Sequence, residues 1–435
     1  MNKLILVLLF LACGGTFSAL AQENLSLEDA IRFGLDNNFQ IKIAKLNTDI
    51  AENNNSWGQT SALPSLNLTG SYSLNITDNS ENPTSFIQAK LESEGVQYGA
   101  NLNWTLFDGF GMFAQKRQLE LLEALSEGNA AVVIENTVQG IVLAYYDVQV
   151  QQEKLDVLEE VIALSRDRLE YMELKKELGA STTFEILQFE NAIVSDSTNY
   201  LLQQLALDNA MRNLNLLLQT SDTVWELTTD LSSPGQSYDY NTLWDEVKNS
   251  NQQLRNVMAN KLLSEQQLRS AKANMYPVVS FNAGINQSDN NFSAGELSGS
   301  GRTLNYFGTF TLNFNLFNGG KTRTAIKNAQ ISEEIANYNQ IDLQLNVSTQ
   351  LRNAVELYNA QFGIYNLTAE NVANQKLALD IAEERYNNGV INSFDYRTQQ
   401  VAYLNAAIGR IEALKNLLDT NANLVRLRGG YINPG

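Results

Sequence analysis

The sequence contains no histidine, and its only cysteine is Cys13. Serine–histidine–acid triads and histidine metal sites are therefore excluded, and no thiol nucleophile follows the N-terminal segment. Few enzymes function when histidine and cysteine are both absent. We therefore expect neither catalysis nor a bound cofactor or metal.

Basic residues are also scarce, since 30 Lys and Arg stand against 48 Asp and Glu. The formal charge of −18 argues against nucleic acid or an anionic membrane surface as a partner, because both attract clusters of lysine and arginine. Any electrostatic partner should be cationic.

Long apolar runs are confined to the N terminus. A lysine, an apolar run over 4–12 and the pattern Ala19-Leu20-Ala21 predict a secretory signal peptide over residues 1–21. Cys13 lies inside this segment, and the apolar run before it is short for a lipid-attachment signal. No later run approaches the roughly 18 residues of a membrane-spanning helix. The exported chain should therefore lack a helical anchor, and a β-barrel remains as its route into a membrane.

A ten-residue stretch occurs twice in the chain. NLNWTLFDGF (101–110) and TLNFNLFNGG (311–320) share Leu, Phe and Gly at positions 210 apart. The same offset relates Gly179 to Gly389, whereas Pro64 precedes its match Pro277 by 213. Agreement at a proline, two glycine turns and an aromatic predicts an internal duplication. We assign a first repeat to 22–220, a linker to 221–240, a second repeat to 241–430 and a tail to 431–435.

Each repeat contains two segments in which apolar and polar residues alternate, which predicts strands at about 65–77, 96–107, 278–288 and 304–317. Their polar faces carry Asn, Ser and Thr rather than the Lys and Glu of a solvated sandwich. Aromatic residues such as Trp104 and Phe317 stand near the strand ends. Two-faced strands of this length are typical of a membrane barrel.

The remainder predicts unusually long helices, because residues 111–233 contain no proline and few glycines. We expect helical hairpins at about 111–219 and 320–428, turning near Gly179 and Gly389. Heptad-spaced apolar residues predict coiled-coil seams. On the outgoing helix of the first repeat they are Val138, Ile141, Tyr145, Val148, Leu155, Ile162 and Leu169; on the returning helices they are Phe184, Leu187, Val194, Leu201, Leu205 and Phe394, Val401, Leu404, Ile408, Ile411.

The two predicted strand–helix junctions carry the same kinds of turn residue. Asp108 and Asn318 should cap the long helices while Gly109 and Gly319 permit the sharp turn. Pro64 and Pro277 should end the helices before the strands. We interpret all six as structural.

Four strands from one chain cannot close a membrane sheet, because lipid does not satisfy the hydrogen bonds of open edges. Two chains would give a filled eight-stranded barrel, whereas three would give twelve strands and leave a lumen. The polar inner face favours three. The predicted fold is thus a mixed α+β membrane protein, a homotrimer with one 12-stranded barrel continued by a helical coiled-coil barrel.

The chain resembles the TolC-like outer-membrane efflux protein family. The resemblance is carried by LSLEDAIRFGLDNN near the mature start, LPSL at 63–66, WTLFDGF at 104–110, NLFNGG at 315–320 and ERYNNGVINSFDY at 384–396. It implies an outer-membrane trimer with a periplasmic tunnel that docks to an inner-membrane pump through a periplasmic adaptor. It also implies that the tunnel opens and closes at its inner tip.

Glu185 and Asp395 match the acidic tip position of this family. Some relatives carry a basic residue just after the tip glycine and a second acid beyond the first, where this chain has Ile391 and Thr398. We therefore expect an acidic ring of Glu185 and Asp395 at the tip without that salt-bridge latch. The alternative is that both acids only solvate helix starts, where a negative charge suits the helix dipole.

Three other functions are consistent with parts of the pattern. A structural or adhesive coiled-coil protein would not need lipid-compatible strands between its coiled coils. A secreted hydrolase using paired carboxylates finds no convergent constellation in the sequence. The outer-membrane component of a type I protein secretion system shares the whole architecture, and the sequence does not distinguish it from a drug or metal-ion exporter.

Overall fold

The computed structural model describes residues 23–179, 181–221 and 223–431. The predicted signal peptide with Cys13 and all but the first residue of the predicted tail lie outside this range. The helices in chain order are α1 (Leu27–Asn37), α2 (Phe39–Asn54), α3 (Gly111–Glu177), α4 (Thr183–Leu218), α5 (Tyr240–Ser250), α6 (Gln252–Ala273), α7 (Lys321–Asn387) and α8 (Ser393–Leu427). The strands are β1 (Glu23–Leu25), β2 (Ser65–Asp78), β3 (Lys90–Phe107), β4 (Trp225–Leu227), β5 (Val278–Ala294) and β6 (Leu297–Asn313).

The duplication is visible in the elements themselves. Helices α1 and α5 both have 11 residues and begin 213 positions apart, as do α2 and α6 and also β2 and β5. The long helices α3 and α7 both have 67 residues and begin 210 apart, and α4 and α8 keep that offset. The chain is therefore built as the same order of elements twice, and the equivalent helices α2 and α6, with 16 and 22 residues, differ most in length.

Residues 45–129 and 253–344 form one of two compact units of the chain. Its centre is a four-stranded antiparallel sheet in the order β2-β3-β5-β6. Opposed residues share a face, so Leu66 lies beside Leu102 and Leu102 beside Ala283, whereas Asn67 lies beside Asn101. The apolar and polar faces of the sheet are thereby separated. Within the described chain, β2 and β6 are edge strands, each paired on one side only.

The strand bounds differ from the sequence prediction at one end of each hairpin. Strand β3 begins at Lys90 rather than 96, β5 ends at Ala294 rather than 288, and β6 begins at Leu297 rather than 304. The prediction was wrong for β3 because Glu92 and Glu94 interrupt the apolar alternation while the backbone ladder continues. It was wrong for β5 and β6 because residues 289–303 contain few apolar residues, although their ladder also continues. Strand β6 also ends at Asn313 rather than 317, since its partner β5 begins opposite that residue at Val278.

The other unit comprises the segment up to residue 44, residues 130–252 and the segment from residue 345. Its core includes Ile141, Tyr145 and Val148 of α3 packed with Leu214 and Leu218 of α4. The Tyr145 hydroxyl donates to the Leu25 carbonyl at 2.8 Å and accepts from the Thr229 N–H at 3.1 Å, which ties the parallel pair β1–β4 to α3. Tyr145, which was predicted as a seam residue, thus also forms hydrogen bonds with backbone groups at the ends of two short strands.

The apolar stripe predicted on α3 is buried within the chain, whereas the stripe predicted on α4 is not covered by the described residues. Val138, Ile141, Tyr145, Val148, Leu155 and Ile162 are buried and Leu169 is partly buried. On α4 the predicted stripe is exposed within the chain, and the residues buried in the first half of the helix are instead Ile186, Phe189, Ala192 and Asp196. On α8, Phe394 and Val401 are exposed while Leu404 and Ile411 are buried. A heptad pattern identifies an apolar stripe but does not say whether the same chain covers it.

Candidate functional site at the helical turns and junctions

The turn that joins α3 to α4 is formed around Gly179. Its φ is +75°, a left-handed conformation that costs little only for glycine, and its N–H donates to the Lys176 carbonyl at 2.9 Å. Ala180, the next residue, lies outside the described residues. Gly179 therefore ends a 67-residue helix as a C-cap glycine.

The turn that joins α7 to α8 is also formed around a glycine with positive φ. Gly389 has φ of +71°, its N–H donates to the Tyr386 carbonyl at 3.0 Å, and the Val390 N–H donates to the Arg385 carbonyl at 2.8 Å. Paired bonds of this kind satisfy the last carbonyls of a helix. Both predicted tip glycines thus hold equivalent positions.

Glu185 belongs to a capping box at the start of α4. Its carboxylate accepts from the Thr182 N–H at 2.9 Å and from the Ser181 hydroxyl at 3.1 Å, while the Thr182 hydroxyl accepts from the Glu185 N–H at 3.3 Å. The backbone hydrogen bond from Thr182 lowers the pKa of Glu185, with smaller contributions from the side chains of Thr182 and Ser181 and the charge of Lys175. The carboxylate is therefore held ionised and fixed at the turn.

Asp395 occupies the matching position of α8 with a simpler cap. The Asn392 side chain accepts from the Asp395 N–H at 2.9 Å. The two helix starts are joined directly, because the Ser393 hydroxyl donates to the Gln188 side-chain oxygen at 2.8 Å. Glu185 and Asp395 therefore occupy equivalent positions in the first turns of α4 and α8.

An aromatic cluster fills the space behind the turns. Tyr386 stacks on Tyr396 with ring centroids 5.3 Å apart and contacts Phe189 at 6.3 Å. The Tyr386 hydroxyl donates to the Met172 sulfur at 3.0 Å. Burial, assisted by the Glu185 charge, raises the pKa of Tyr386 to about 12. These aromatic residues link both hairpins into one packed end.

Two ionic contacts between the helical hairpins α3–α4 and α7–α8 were not predicted from the sequence. Arg397 of α8 donates to buried Asp196 of α4 at 2.7 Å. Arg168 of α3 pairs with Glu383 of α7, donates to Asn387 at 2.9 Å and lies 5.5 Å from the Tyr396 ring centre. The signal in the sequence was a charged residue, Asp196, at a position that continues the buried stripe of Ile186, Phe189 and Ala192 on α4.

The prolines before the strands differ in role. Pro277 lies between Ala273, where α6 ends, and Val278, where β5 begins. Helix α2 already ends at Asn54 and a 3₁₀ turn over Trp57–Thr60 intervenes, so the prediction that Pro64 ends this helix was wrong. Pro64 instead precedes the first residue of β2.

The junctions into the long helices also differ from each other. Asn318 meets the predicted cap, since its side chain donates to the Thr322 hydroxyl at 2.8 Å and lies 3.5 Å from the Thr322 N–H. Asp108 has one carboxylate oxygen buried without a hydrogen-bond partner in the described chain, so that oxygen forms no cap. Gly109 and Gly319 both have positive φ, at +73° and +68°, as the sharp turn requires.

Within residues 23–179, 181–221 and 223–431, no helix combines the length and apolar character needed to cross a bilayer. The same described residues contain no group of three or more acidic side chains placed to hold a metal ion.

The combination of very long helical hairpins and a four-stranded antiparallel sheet is the fold of outer-membrane channels. The Campylobacter jejuni CmeC outer membrane channel superposes with a TM-score of 0.75 at 17% identity, covering 93% of this chain and 85% of that chain. The outer membrane protein VceC of Vibrio cholerae gives 0.75 at 16% identity, covering 93% and 96%.

The chain belongs to the outer membrane efflux protein family, whose profile matches residues 31–219 and 243–430. Outer membrane protein TolC of Vibrio cholerae is 22% identical over 451 residues, covering 99% of this chain and 93% of that protein. The protein is accordingly an outer-membrane efflux channel protein with a helical periplasmic portion, and its relatives are channels rather than enzymes.

Proposed function

We propose that this chain is the outer-membrane duct of a tripartite efflux system, a passive homotrimer that docks to a periplasmic adaptor and an inner-membrane pump. The observation that carries this proposal is the four-stranded sheet with one apolar face, which is connected to 67-residue helices and whose outer strands β2 and β6 are each paired on one side only in the described chain. Such a sheet is stable in lipid only when further strands close it.

Three copies supply twelve strands, enough for a barrel with a lumen. Two copies supply eight strands, and the interior of an eight-stranded barrel is filled by side chains. The exposed apolar stripe of α4, which includes Phe184, Val194 and Leu201, supports the same conclusion. In a trimer this stripe would be covered by a neighbouring helix of the coiled-coil barrel.

The adaptor should bind the turns around Gly179 and Gly389, which end the longest helices of the chain. A reporter cysteine at Ala180 or at Val390 should cross-link to the adaptor. One at Ser80, in the loop after β2, should not. The mature chain has no cysteine of its own to confuse the result.

Glu185 and Asp395 should form an acidic ring at the tip of the assembled tunnel. Three copies of each would direct up to six carboxylates toward one axis, where they would favour cations over anions. The lowered pKa of Glu185 supports this, since that carboxylate stays charged in the periplasm.

The proposal is tested with the full mature chain purified in mild detergent. Light scattering corrected for detergent should give three copies, and the trimer should conduct in planar bilayers. A stable monomer that conducts would contradict the proposal. Mass spectrometry of the inner-membrane protein retained after cross-linking separates the two export classes, because an associated protein-secretion transporter would assign this duct to type I secretion.

A further inference from the structure

A groove of about 440 Å³ lies between the first turns of α3 and the end of α6, where these helices meet the sheet. All of its lining residues belong to the compact unit that contains the sheet. Three of them are aromatic side chains that are more than half exposed, namely Phe110, Phe113 and Tyr276. Large apolar groups that are exposed together at one place indicate a contact surface.

The aromatic rings of the groove continue the apolar face of the sheet. A bulge in β3 places Phe107 opposite Val279, on the face that also carries Leu102. The Phe107 ring meets the Phe110 ring edge-on with centroids 5.3 Å apart, and the Phe110 ring lies 6.2 Å from the Phe113 ring. The groove therefore lies on the apolar side of the sheet.

Three exposed basic side chains also line the groove, namely Arg117 of α3 and Arg269 and Lys272 of α6. Neither Arg269 nor Lys272 forms a hydrogen bond or an ion pair within the described chain. Arg117 pairs with Glu120 at 2.7 Å, but that carboxylate also accepts from Lys116 at 3.1 Å. The charges of Arg269 and Lys272 are therefore available to an anion from outside the chain.

Positive charge is also concentrated at the second junction. Residues 320–330 carry Lys321, Arg323 and Lys327 and no acid, although the whole chain has 48 acidic residues against 30 basic. Residues 266–276, which line the α6 side of the groove, likewise contain no acid. Cations in the first turn of a helix are disfavoured by the helix dipole, so helix stability does not account for Lys321 and Arg323. The net charge of the whole chain therefore does not describe this level of the molecule.

The far end of the sheet, away from the long helices, is different. The four long strands contain only two basic residues, Lys90 and Arg302. Lys90 pairs with Glu92 at 2.7 Å, and Arg302 pairs with Asp289 at 2.8 Å. Basic side chains are therefore paired at the far end of the sheet and available at its helical end.

The order of side chains along α3 matches the order of groups in a phospholipid leaflet. The helical portion of the protein lies in the periplasm, so the helical end of the sheet meets the periplasmic leaflet of the outer membrane. Aromatic rings favour the boundary between acyl chains and headgroups, whereas lysine and arginine extend beyond it toward the phosphates. A helix advances 1.5 Å per residue, so Arg117 lies about 6 Å beyond Phe113.

We infer that the groove between α3 and α6 binds the headgroup of an anionic phospholipid of the periplasmic leaflet. The phosphate contacts Arg117, Arg269 and Lys272, and the acyl chains lie along Phe110 and Phe113. Basic pockets at membrane surfaces bind anionic headgroups such as cardiolipin in this way. An anionic lipid is favoured over a zwitterionic one, because its headgroup brings no ammonium group to these cations. The inference rests on the proposed placement of the sheet in the outer membrane and adds a lipid ligand to the proposed duct.

Native mass spectrometry of the full mature chain in detergent tests the groove. Dioleoyl phosphatidylglycerol should bind more tightly than dioleoyl phosphatidylcholine, which has the same acyl chains. Arg269→Gln with Lys272→Gln should weaken phosphatidylglycerol binding about 25-fold, because each basic side chain near an anionic surface contributes about a fivefold preference. Arg269→Lys with Lys272→Arg keeps both charges and should bind the lipid as the parent does.

The matched control is Lys90→Gln with Arg302→Gln, which removes the same charge at the far end of the sheet and should leave lipid binding unchanged. Equal losses in the two glutamine variants, or no loss in either, would overturn the site. Free glycerol 3-phosphate should not displace the lipid, because it has no acyl chains to contact the rings. Displacement at equal concentration would assign the groove to a soluble anion instead.

The oligomeric state and the conductance of the same variants separate this inference from the proposed function. Arg269→Gln with Lys272→Gln should still form a trimer that conducts in planar bilayers. A conducting trimer without lipid preference would overturn the lipid site and leave the duct intact, whereas a conducting monomer would contradict the duct itself.

Discussion

The guanidinium of Arg397 donates to the carboxylate of Asp196 at 2.7 Å, and Asp196 is only 2% exposed. The pair joins the returning helices of the two hairpins, and Arg397 also lies 3.5 Å from the Ser165 hydroxyl of α3. The second oxygen of Asp196 is buried without a partner in the described chain. Asp196 therefore depends on Arg397 for its charge compensation.

Replacing one partner should be more damaging than replacing both. Arg397→Leu leaves a buried carboxylate uncompensated and should lower the free energy of unfolding by about 3 kcal/mol, whereas adding Asp196→Leu should restore most of it. Denaturant unfolding of the two variants measures the difference. Lys376→Gln, which breaks a half-exposed pair with Glu160, is the control and should cost less than about 1 kcal/mol. Equal losses from the single and double variants would refute the dependence.

A charge on the apolar face of the sheet should prevent assembly in the membrane. Leu68 lies on that face and is almost fully exposed within the chain, so Leu68→Lys should cost about 2 to 4 kcal/mol near the bilayer midplane. Asn67→Lys, one residue away on the polar face, should assemble. The measurement is the yield of folded protein in the outer-membrane fraction. If Asn67→Lys proved the more harmful change, the two faces would be reversed.

The acidic ring should set the ion selectivity of the closed tip. Parent channels in planar bilayers should prefer cations and be blocked by trivalent cations added from the periplasmic side. The double variant Asp395→Asn with Glu185→Gln should weaken the block strongly while the trimer keeps its stability, because glutamine can retain the capping box. Block equal to that of the parent would assign both acids to helix capping alone.

The capping box should lose stability in acid. The pKa of Glu185 is lowered in the folded chain, so its contribution is present above its ordinary value of 4.5 and is lost as pH falls through the folded-state pKa. Hydrogen exchange at the first turn of α4 should therefore be faster in Glu185→Ala than in the parent at neutral pH. The difference should shrink well below pH 4.5. A difference that is constant with pH would mean that the charge is not involved.

The sequence predicted the features that repeat along the chain. The offsets of 210 and 213 located equivalent elements, and the alternation of Leu66, Leu68 and Tyr72 identified a two-faced strand. These patterns are local, because a strand or helix face is fixed by spacing along one segment.

The features that the sequence did not predict depend on which segments meet. Phe184 and Ile186 are both apolar, yet only Ile186 is buried by the chain itself. The pairing of Arg397 with Asp196 joins residues 201 positions apart. The end of β6 at Asn313 is set by the start of β5, not by the composition of residues 314–317. Each outcome is decided by a partner segment that no single stretch of sequence records.

The two connections between paired strands, at the end of the sheet away from the long helices, differ in length. This difference bears on how such channels evolve. β5 and β6 are joined through Gly295 and Glu296 alone, whereas β2 and β3 are joined by residues 79–89. The difference between the two offsets is absorbed between the strands of each hairpin, before the long helices begin. Length changes in residues 79–89 therefore leave the helical frame untouched. This loop can therefore change in length and sequence without disturbing the long helices, and it is a suitable place to insert an affinity tag.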